Sequence, residues 1–374
     1  MIITLSFVNG FQETVSQKVF SFWGHIRVQH KQPQKSAIAE EVAIEKDDRV
    51  FNFIKSNPAV KSIHPYATKY AILKTNTEIE GVLIKGLDKT YDPVHFSPFM
   101  QEGRWIKFND STYSREIILS TKTAKLLQLK LHDRLLIYFI RSDGSLRPDK
   151  LEIVGIYKTG IEEYDKSFAI GDMHLIQRLN DWKSTEIGGY EIFLTDHKNM
   201  EDVALQIHES DTFPMVWNTK TIKDIYPNIF DWLNMQDTTR NLLIAFMIIV
   251  AVINLITCLI ILVLERVKMI GILKAVGAND WTVQKIFLQH SVYITLTGII
   301  TGALLSFGIL FLQKTTGFIQ LSEDAYYMST AAVKIIWWQV ATVCLSTLVI
   351  CFLVLTIPSF IVKKIQPVKA IHFR

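Results

Sequence analysis

Side chains able to do chemistry are few in this chain and do not form a recognisable constellation. Glu162, Glu163 and Asp165 cluster around Tyr164, but an acidic run on a loop is expected to be a solvated face rather than a general acid–base pair. His25 has no second ligand at metal spacing, so zinc lacks support, and it reads as a packed histidine at a strand start. His290 lies in an apolar run, where a histidine can relay protons. With no acid beside it in those runs, placement near the membrane interface is the simpler account. Cys258, Cys344 and Cys351 all lie in apolar runs and read as small buried hydrophobes. No Walker A, HExxH, CxxC or GxSxG pattern occurs. A formal net charge of +4, without interleaved aromatic and basic residues, argues against nucleic acid. Such a chain binds or moves something; nothing in it suggests cutting or transfer.

The elements around these residues point to a membrane. Three long apolar runs occupy the last third: Asn241–Leu264, Ile286–Leu312 and Ile335–Val362. The first has 24 residues without a charge, enough to cross a bilayer with some tilt. Asn254, its interior polar residue, is expected to hydrogen-bond another helix. Gly298, Gly302 and Ser306 form a small-residue row on the second, suited to close helix packing within a bundle or across a dimer. Between these two runs lies Glu265–Asp280, ERVKMIGILKAVGAND. Arg266, Lys268 and Lys274 outnumber Glu265 and Asp280, which places the loop in the cytoplasm. Met269, Ile272, Leu273 and Val276 recur at the spacing of one helical face, and Gly277 stands where a helix would be capped. A short amphipathic helix there is a handle for a soluble partner. The same pattern would also serve to fix topology and rest on lipid.

ERVKMIGILKAVGA resembles the cytoplasmic loop of FtsX-like ABC-transporter permeases, where an ER-x-x-x-IGILKA-x-GA pattern recurs. The resemblance implies a coupling helix docked on a separate ATPase, formed by Glu265, Arg266, Lys268, Met269, Ile270, Gly271, Ile272, Leu273, Lys274, Ala275, Gly277 and Ala278. At the other end, Asn9-Gly10-Phe11-Gln12 and Val19-Phe20-Ser21-Phe22-Trp23-Gly24-His25-Ile26 resemble the lipoprotein-releasing (LolC/LolE) branch of that family. The resemblance therefore spans essentially the whole chain. It implies that an NGFQ-like turn ends a first transmembrane helix, followed by a helix and an FWGHI-like strand. It also implies that a cytoplasmic elbow and most of that first span precede Met1. Trp23 and its neighbouring phenylalanines are expected at the membrane interface. The tail IPSFIVKKIQPVKAIHFR resembles the permease C-terminus, departing from it between Ser359 and Lys364 and at Ile371-His372-Phe373.

Residues 31–237 read as one α+β region, of one lobe or two. Helices are expected at Val50–Asn57, Ser120–Leu129, Met173–Leu179 and Met200–Glu209. Strands are expected through Tyr70–Leu73 and at Gly81–Asp88, Arg134–Arg141, Leu151–Tyr157 and Tyr190–Leu194, with a turn at Ser142-Asp143-Gly144-Ser145. From Thr221 a helical stalk begins, with Ile222, Ile225, Ile229, Leu233 and Met235 on one face and Pro227 opening or kinking it. The expected organisation is residues 1–9 as the end of a first span, 10–239 as a MacB-like core domain and stalk, and 240–374 as an FtsX-like permease domain. The fold class is thus an α+β periplasmic domain on an α-helical membrane bundle of the type VII ABC permeases, with four spans in an intact subunit. Basic clusters at 266–285 and 363–374 lie on one side; the large domain and the 313–334 loop lie on the other.

The resemblance further implies a non-catalytic permease subunit that binds no cofactor itself, ATP being held by two copies of a partner ATPase. Its other partners would be a second permease (identical or paralogous), membrane lipid, a lipoprotein drawn from the bacterial inner membrane, and a periplasmic chaperone. The C-terminus would be cytoplasmic. A MacB-like efflux permease and an FtsX-like permease controlling a cell-wall hydrolase are the alternatives; the NGFQ and FWGHI motifs favour lipoprotein release.

Overall fold

The computed structural model describes residues 1–32, 40–109, 112–141 and 144–364. They divide into two compact units. One is helical: Met1–Glu13, Trp232–Gln320 and the segment from Thr330 onward. The other is an α/β unit of Thr14–Asp231 together with Leu321–Ser329.

Among the described residues of the α/β unit, short apolar runs separated by polar turns form twelve strands. They are β1 (Ile26–His30), β2 (Ile44–Glu45), β3 (Val60–Lys74), β4 (Ile79–Leu87), β5 (Met100–Gly103) and β6 (Glu116–Ser120), then β7 (Arg134–Ile140), β8 (Leu146–Tyr157), β9 (Phe168–Asp172), β10 (Glu186–Ile187), β11 (Gly189–Leu194) and β12 (Trp217–Thr221). Ten make one mixed sheet in the order β12-β1-β11-β3-β4-β9-β6-β8-β5, with β7 paired to both β3 and β8; β2 and β10 pair separately. The parallel pairs are β4 with β9 and β6 with β8. Strands β9 and β11 are buried throughout, so the sheet is covered on both faces at its centre.

Helix α1 (Ile2–Trp23) leads into this sheet, and α2 (Asp48–Ser56), α3 (Thr121–Leu126), α4 (Glu162–Ser167), α5 (Met173–Leu179), α6 (Met200–His208) and α7 (Ile222–Ile225) pack around it. Local chemistry starts several of them. The Asp47 carboxylate accepts from the main-chain N–H groups of Arg49 and Val50 at the head of α2, and Thr221 and Asp224 form a capping box on α7. Helix α5 lies so close to β4 that a Cβ at Gly86 would stand 2.8 Å from Met173 Cα.

The helical unit is built from α8 (Pro227–Glu265), α9 (Val267–Ala275), α10 (Asp280–Thr316) and α12 (Trp337–Lys364); α11 (Glu323–Tyr326) is a single turn between the last two. Among the described residues, three helical stretches are long and apolar enough to cross a membrane: Pro227–Cys258, Val292–Thr316 and Trp337–Val354. Pro227 opens α8 at its first position, where a missing N–H costs nothing. Helix α10 packs along α12.

Several sequence expectations need correction. The motif Asn9-Gly10-Phe11-Gln12 is not a turn: α1 runs unbroken through it to Trp23. Glycine at position 10 answers to packing, because an ideal Cβ there would stand 2.3 Å from Ala332 O. The helix ends instead at Gly24, whose φ of +71° suits a residue without a Cβ. The strand thus begins at Ile26, and Phe22-Trp23 belongs to the helix. Trp23 is not at a membrane surface; it is buried in the α/β core, edge-on to Tyr66 and Phe168.

Around Tyr164 the acidic run is a solvated face only in part: Glu162 and Glu163 are exposed, as expected, but Asp165 is not. Tyr164 and Asp165 are buried, and the Asp165 carboxylate accepts from Thr159 N, Thr159 Oγ1 and Gly160 N. The stalk face is interrupted at Tyr226, between α7 and α8. Ile222, Ile229 and Leu233 are buried while Met235 is exposed. Asn254 is exposed on α8 with no hydrogen bond to another helix among the described residues, and Cys258 is likewise exposed. Part of the expected turn, Ser142-Asp143, and the tail from residue 365, including Lys369 and Ile371-His372-Phe373, lie outside the described residues. So does the side chain of His290.

Candidate functional site

The stretch Glu265–Ala278 folds into α9 and its two ends. Helix α8 stops at Glu265 because Arg266 leaves the helical region (φ −102°, ψ 9°), and a new helix starts at Val267. At the far end Gly277, at φ +98°, donates to Lys274 O at 3.1 Å, and Ala278 N donates to Leu273 O at 2.9 Å. These two reversed bonds constitute a Schellman cap, which satisfies carbonyls the helix would otherwise leave open.

Ile270 and Gly271 are the buried residues of α9, and they anchor it. The apolar face read from the spacing points the other way. Met269, Ile272 (58% exposed) and Val276 (84% exposed) face outward, with Leu273 half-buried. Glu265, Arg266 and Lys268 are exposed beside them, Lys274 is half-buried, and Ala275, Gly277 and Ala278 complete the surface. The result is a short rigid helix presenting an apolar strip edged by positive charge. Among the described residues nothing covers that strip, and an exposed apolar strip edged by charge suits contact with another surface.

On α10, an ideal Cβ at Gly298 or Gly302 would meet no atom within 4 Å. Ser306 Oγ donates back to Gly302 O at 2.8 Å. Among the described residues the small-residue row is therefore open, a strip where another helix can approach.

In the α/β unit, groups that spacing alone did not single out gather at the end of α1. Arg27, buried, reaches Glu41 Oε1 at 2.5 Å and Tyr66 Oη at 2.6 Å, with its guanidinium 4.3 Å from the Trp23 ring centre. Burial opposes its charge, but Tyr66 and Glu41 outweigh it and hold the guanidinium above its usual pKa. Lys85 and Glu191, both buried, pair at 2.6 Å. Nearby, His25 stacks on Phe20 at 4.4 Å and takes a hydrogen bond from Leu194 N at its Nδ1, and His95 stacks on Phe193 at 4.1 Å. His25 is thus a packed histidine, immediately before β1. Among the described residues, no group of three or more His, Cys, Asp or Glu is arranged to hold a metal ion.

Residues 241–367 match the FtsX-like permease C-terminal family. The chain is 22% identical to the lipoprotein-releasing system transmembrane protein LolE of Haemophilus influenzae over 391 residues, covering 99% of this chain and 90% of that protein. It is 23% identical over 401 residues to LolC of Neisseria meningitidis serogroup B, covering 100% of this chain and 90% of that protein. Among solved structures, the periplasmic region of MacB from Actinobacillus actinomycetemcomitans aligns with a TM-score of 0.37 at 10% identity, covering 55% of this chain and 91% of that one. The extracellular domain of the transporter YknZ aligns with a TM-score of 0.34 at 14% identity, covering 52% and 98%. The chain thus carries a match to the FtsX-like permease C-terminal family at 241–367, three helical stretches among the described residues long and apolar enough to cross a membrane, and similarity along its full length to the LolC and LolE transmembrane proteins.

Proposed function

We propose that this chain is the permease subunit of an ATP-driven, type VII lipoprotein-releasing transporter of the bacterial inner membrane. Its α/β unit would lie in the periplasm and its C-terminus in the cytoplasm. The observation that carries this reading is the outward-facing strip of α9, Met269, Ile272 and Val276 beside Arg266 and Lys268. It lies in a chain similar throughout to LolC and LolE. In this reading α9 is the docking point of a separate ABC ATPase, two copies of which hold the ATP, and this chain contributes no catalytic residue and binds no cofactor. A second permease, identical or paralogous, packs on the open row Gly298, Gly302 and Ser306.

A motor is physically reasonable. Removing acyl chains from a bilayer costs about 0.8 kcal/mol per CH₂, so a lipoprotein with two or three chains does not leave at a useful rate unaided. Closure of the ATPase pair would push on α9. The force would pass along α8 and α1, each a single helix that contributes residues to both units. The α/β unit would then draw the lipoprotein out and hand it to a periplasmic chaperone.

The test is affinity purification of the tagged protein from its own membrane, beside a variant carrying Arg266→Glu and Lys274→Glu. Recovery of an ABC ATPase and of acylated lipoproteins with the wild type, and loss of the ATPase with the variant, is the expected result. A cell-wall hydrolase in place of lipoproteins would replace this reading with a signalling permease. Retention of the ATPase and of lipoprotein release by the variant would overturn the role of α9.

A further inference from the structure

The connection from α10 to α12 is a built structure rather than a plain loop. Gly317, at φ +61°, ends α10 with its N–H on Gln313 O at 2.8 Å. The buried Gln313 side chain then organises both arms of the connection. Its Oε1 accepts from Ile319 N at 2.9 Å, and its Nε2 donates to Ile319 O at 3.3 Å and Ala331 O at 3.0 Å. The arms pair antiparallel at Gln320 and Thr330, flanked by bonds from Leu321 N to Ser329 O (2.9 Å) and from Ala331 N to Ile319 O (3.1 Å). At the tip, α11 closes with Tyr327 at φ +56°, its N–H on Glu323 O at 2.8 Å.

That tip, Leu321–Ser329, belongs to the α/β unit. The Glu323 carboxylate pairs with Lys158 Nζ, and Lys18 Nζ donates to Tyr327 O at 2.7 Å. Both meet over Gly160: a Cβ there would stand 2.7 Å from Glu323 Oε1 and 2.7 Å from Lys18 Nζ. Met328 beside them is buried. The receiving loop is rigid on its own account, because Asp165 holds Thr159 and Gly160 through three hydrogen bonds. The returning arm then follows α1. Lys334 N donates to Ser6 O at 3.0 Å, and Lys334 Nζ pairs with Glu13 Oε1 at 2.8 Å.

We propose that Glu323, paired with Lys158 over Gly160 while Lys18 holds Tyr327 O, is a positioning residue that makes the α10–α12 hairpin tip travel with the α/β unit. This rests on the transporter reading above: displacement of α10 and α12 during the ATPase cycle then pulls the α/β unit through the hairpin, as well as through α1 and α8. An ion pair with one partner at 26% and the other at 42% side-chain exposure contributes little to stability by itself. Its placement over a glycine that leaves no room for a Cβ, on a loop braced independently, fits a register function instead.

The test uses the full transporter with its ATPase, reconstituted in lipid, and reads lipoprotein released per ATP hydrolysed. Glu323→Lys should lower that ratio several-fold while ATPase association and basal hydrolysis stay within twofold. The swap Lys158→Glu with Glu323→Lys should restore it. Amide hydrogen exchange on the same variants supplies a readout that needs no cargo. In Glu323→Lys, Leu321–Ser329 should lose protection several-fold while Thr159–Gly160, held by Asp165, keeps its own, and the swap should recover the loss. An unchanged ratio with unchanged protection would overturn the proposal, and so would a ratio lost equally in the swap. A wild-type complex that releases no lipoprotein would overturn the transporter reading instead, leaving hydrogen exchange to decide whether the clamp exists.

Discussion

Lys85 Nζ lies 2.5 Å from the main-chain oxygen of Phe22, the penultimate residue of α1. The last turn of a helix exposes unsatisfied carbonyls and carries partial negative charge, so a buried ammonium there is doubly accommodated: it caps the carbonyl and opposes the dipole. Glu191 on β11 supplies the countercharge. Burial pulls the Lys85 ammonium below its ordinary pKa and pushes the Glu191 carboxyl above its own, each opposed by the other's charge. The end of α1 is thereby fixed to the centre of the sheet.

Removing one member of this pair should be costly. Lys85→Met leaves a buried carboxylate and an open helix carbonyl, and should destabilise the α/β unit by roughly 3–5 kcal/mol. The double change Lys85→Met with Glu191→Leu should recover much of that loss. Denaturant unfolding of the full chain in detergent, followed by tryptophan fluorescence, measures both. Equal loss in the single and double variants would show that the pair is not the source.

Acid should loosen the same region. His25 is held down to about 3 by burial and by His197 and His95, with Asp196 opposing and Lys61 adding to the effect. His64 is held down to about 4 by burial and by His95, with Asp88 opposing and Lys85 adding. Both folded values lie below the ordinary 6.5, so the unfolded chain takes up protons first as pH falls. The stability they contribute is complete above pH 6.5 and is lost as pH drops from there toward 4 for His64 and 3 for His25. By pH 5 this amounts to roughly 2 kcal/mol for each histidine. Unfolding midpoints at pH 7.5, 6 and 5 should fall in step, and His64→Phe should flatten the slope.

Gly277 tests the cap of α9 without disturbing its contacts. A Cβ there meets no atom within 4 Å, so a substitution acts through the backbone alone. At φ +98°, valine should cost about 1–3 kcal/mol and asparagine less. Gly277→Val should reduce recovery of the partner ATPase several-fold, while Gly277→Asn should retain most of it.

Gly10 tests the reading of α1. Alanine is intrinsically the better helix former by about 1 kcal/mol, yet here its Cβ would stand 2.3 Å from Ala332 O. Gly10→Ala should therefore destabilise, by about 1–3 kcal/mol as an overpacked site does. Faster amide exchange at Val333 and Lys334 would register it. A stabilised variant would show that the segment does not lie against α1.

Legibility followed the range of the interactions. Met173–Leu179 was readable to the residue as a helix, and Gly277 as the end signal of α9, because apolar period and capping are encoded within a few positions. The apolar helices were readable for the same reason: length and lack of charge are local properties. Even the outward strip of α9 was written in its spacing, though not which side would be left open.

What required the tertiary structure was every feature whose partner lies far away in the chain. Asn9-Gly10-Phe11-Gln12 has the composition of a turn, and only the approach of Ala332 explains a glycine inside a continuous helix. Asp165 looked solvated until Thr159 and Gly160 closed on it, and Trp23 looked interfacial until Tyr66 and Phe168 enclosed it. Lys85 finds Glu191, and Glu323 finds Lys158, through strand register and a hairpin fold that no short window contains. Local sequence determines periodicity and end signals; desolvation and charge pairing depend on which distant surfaces meet, and those only the fold brings together.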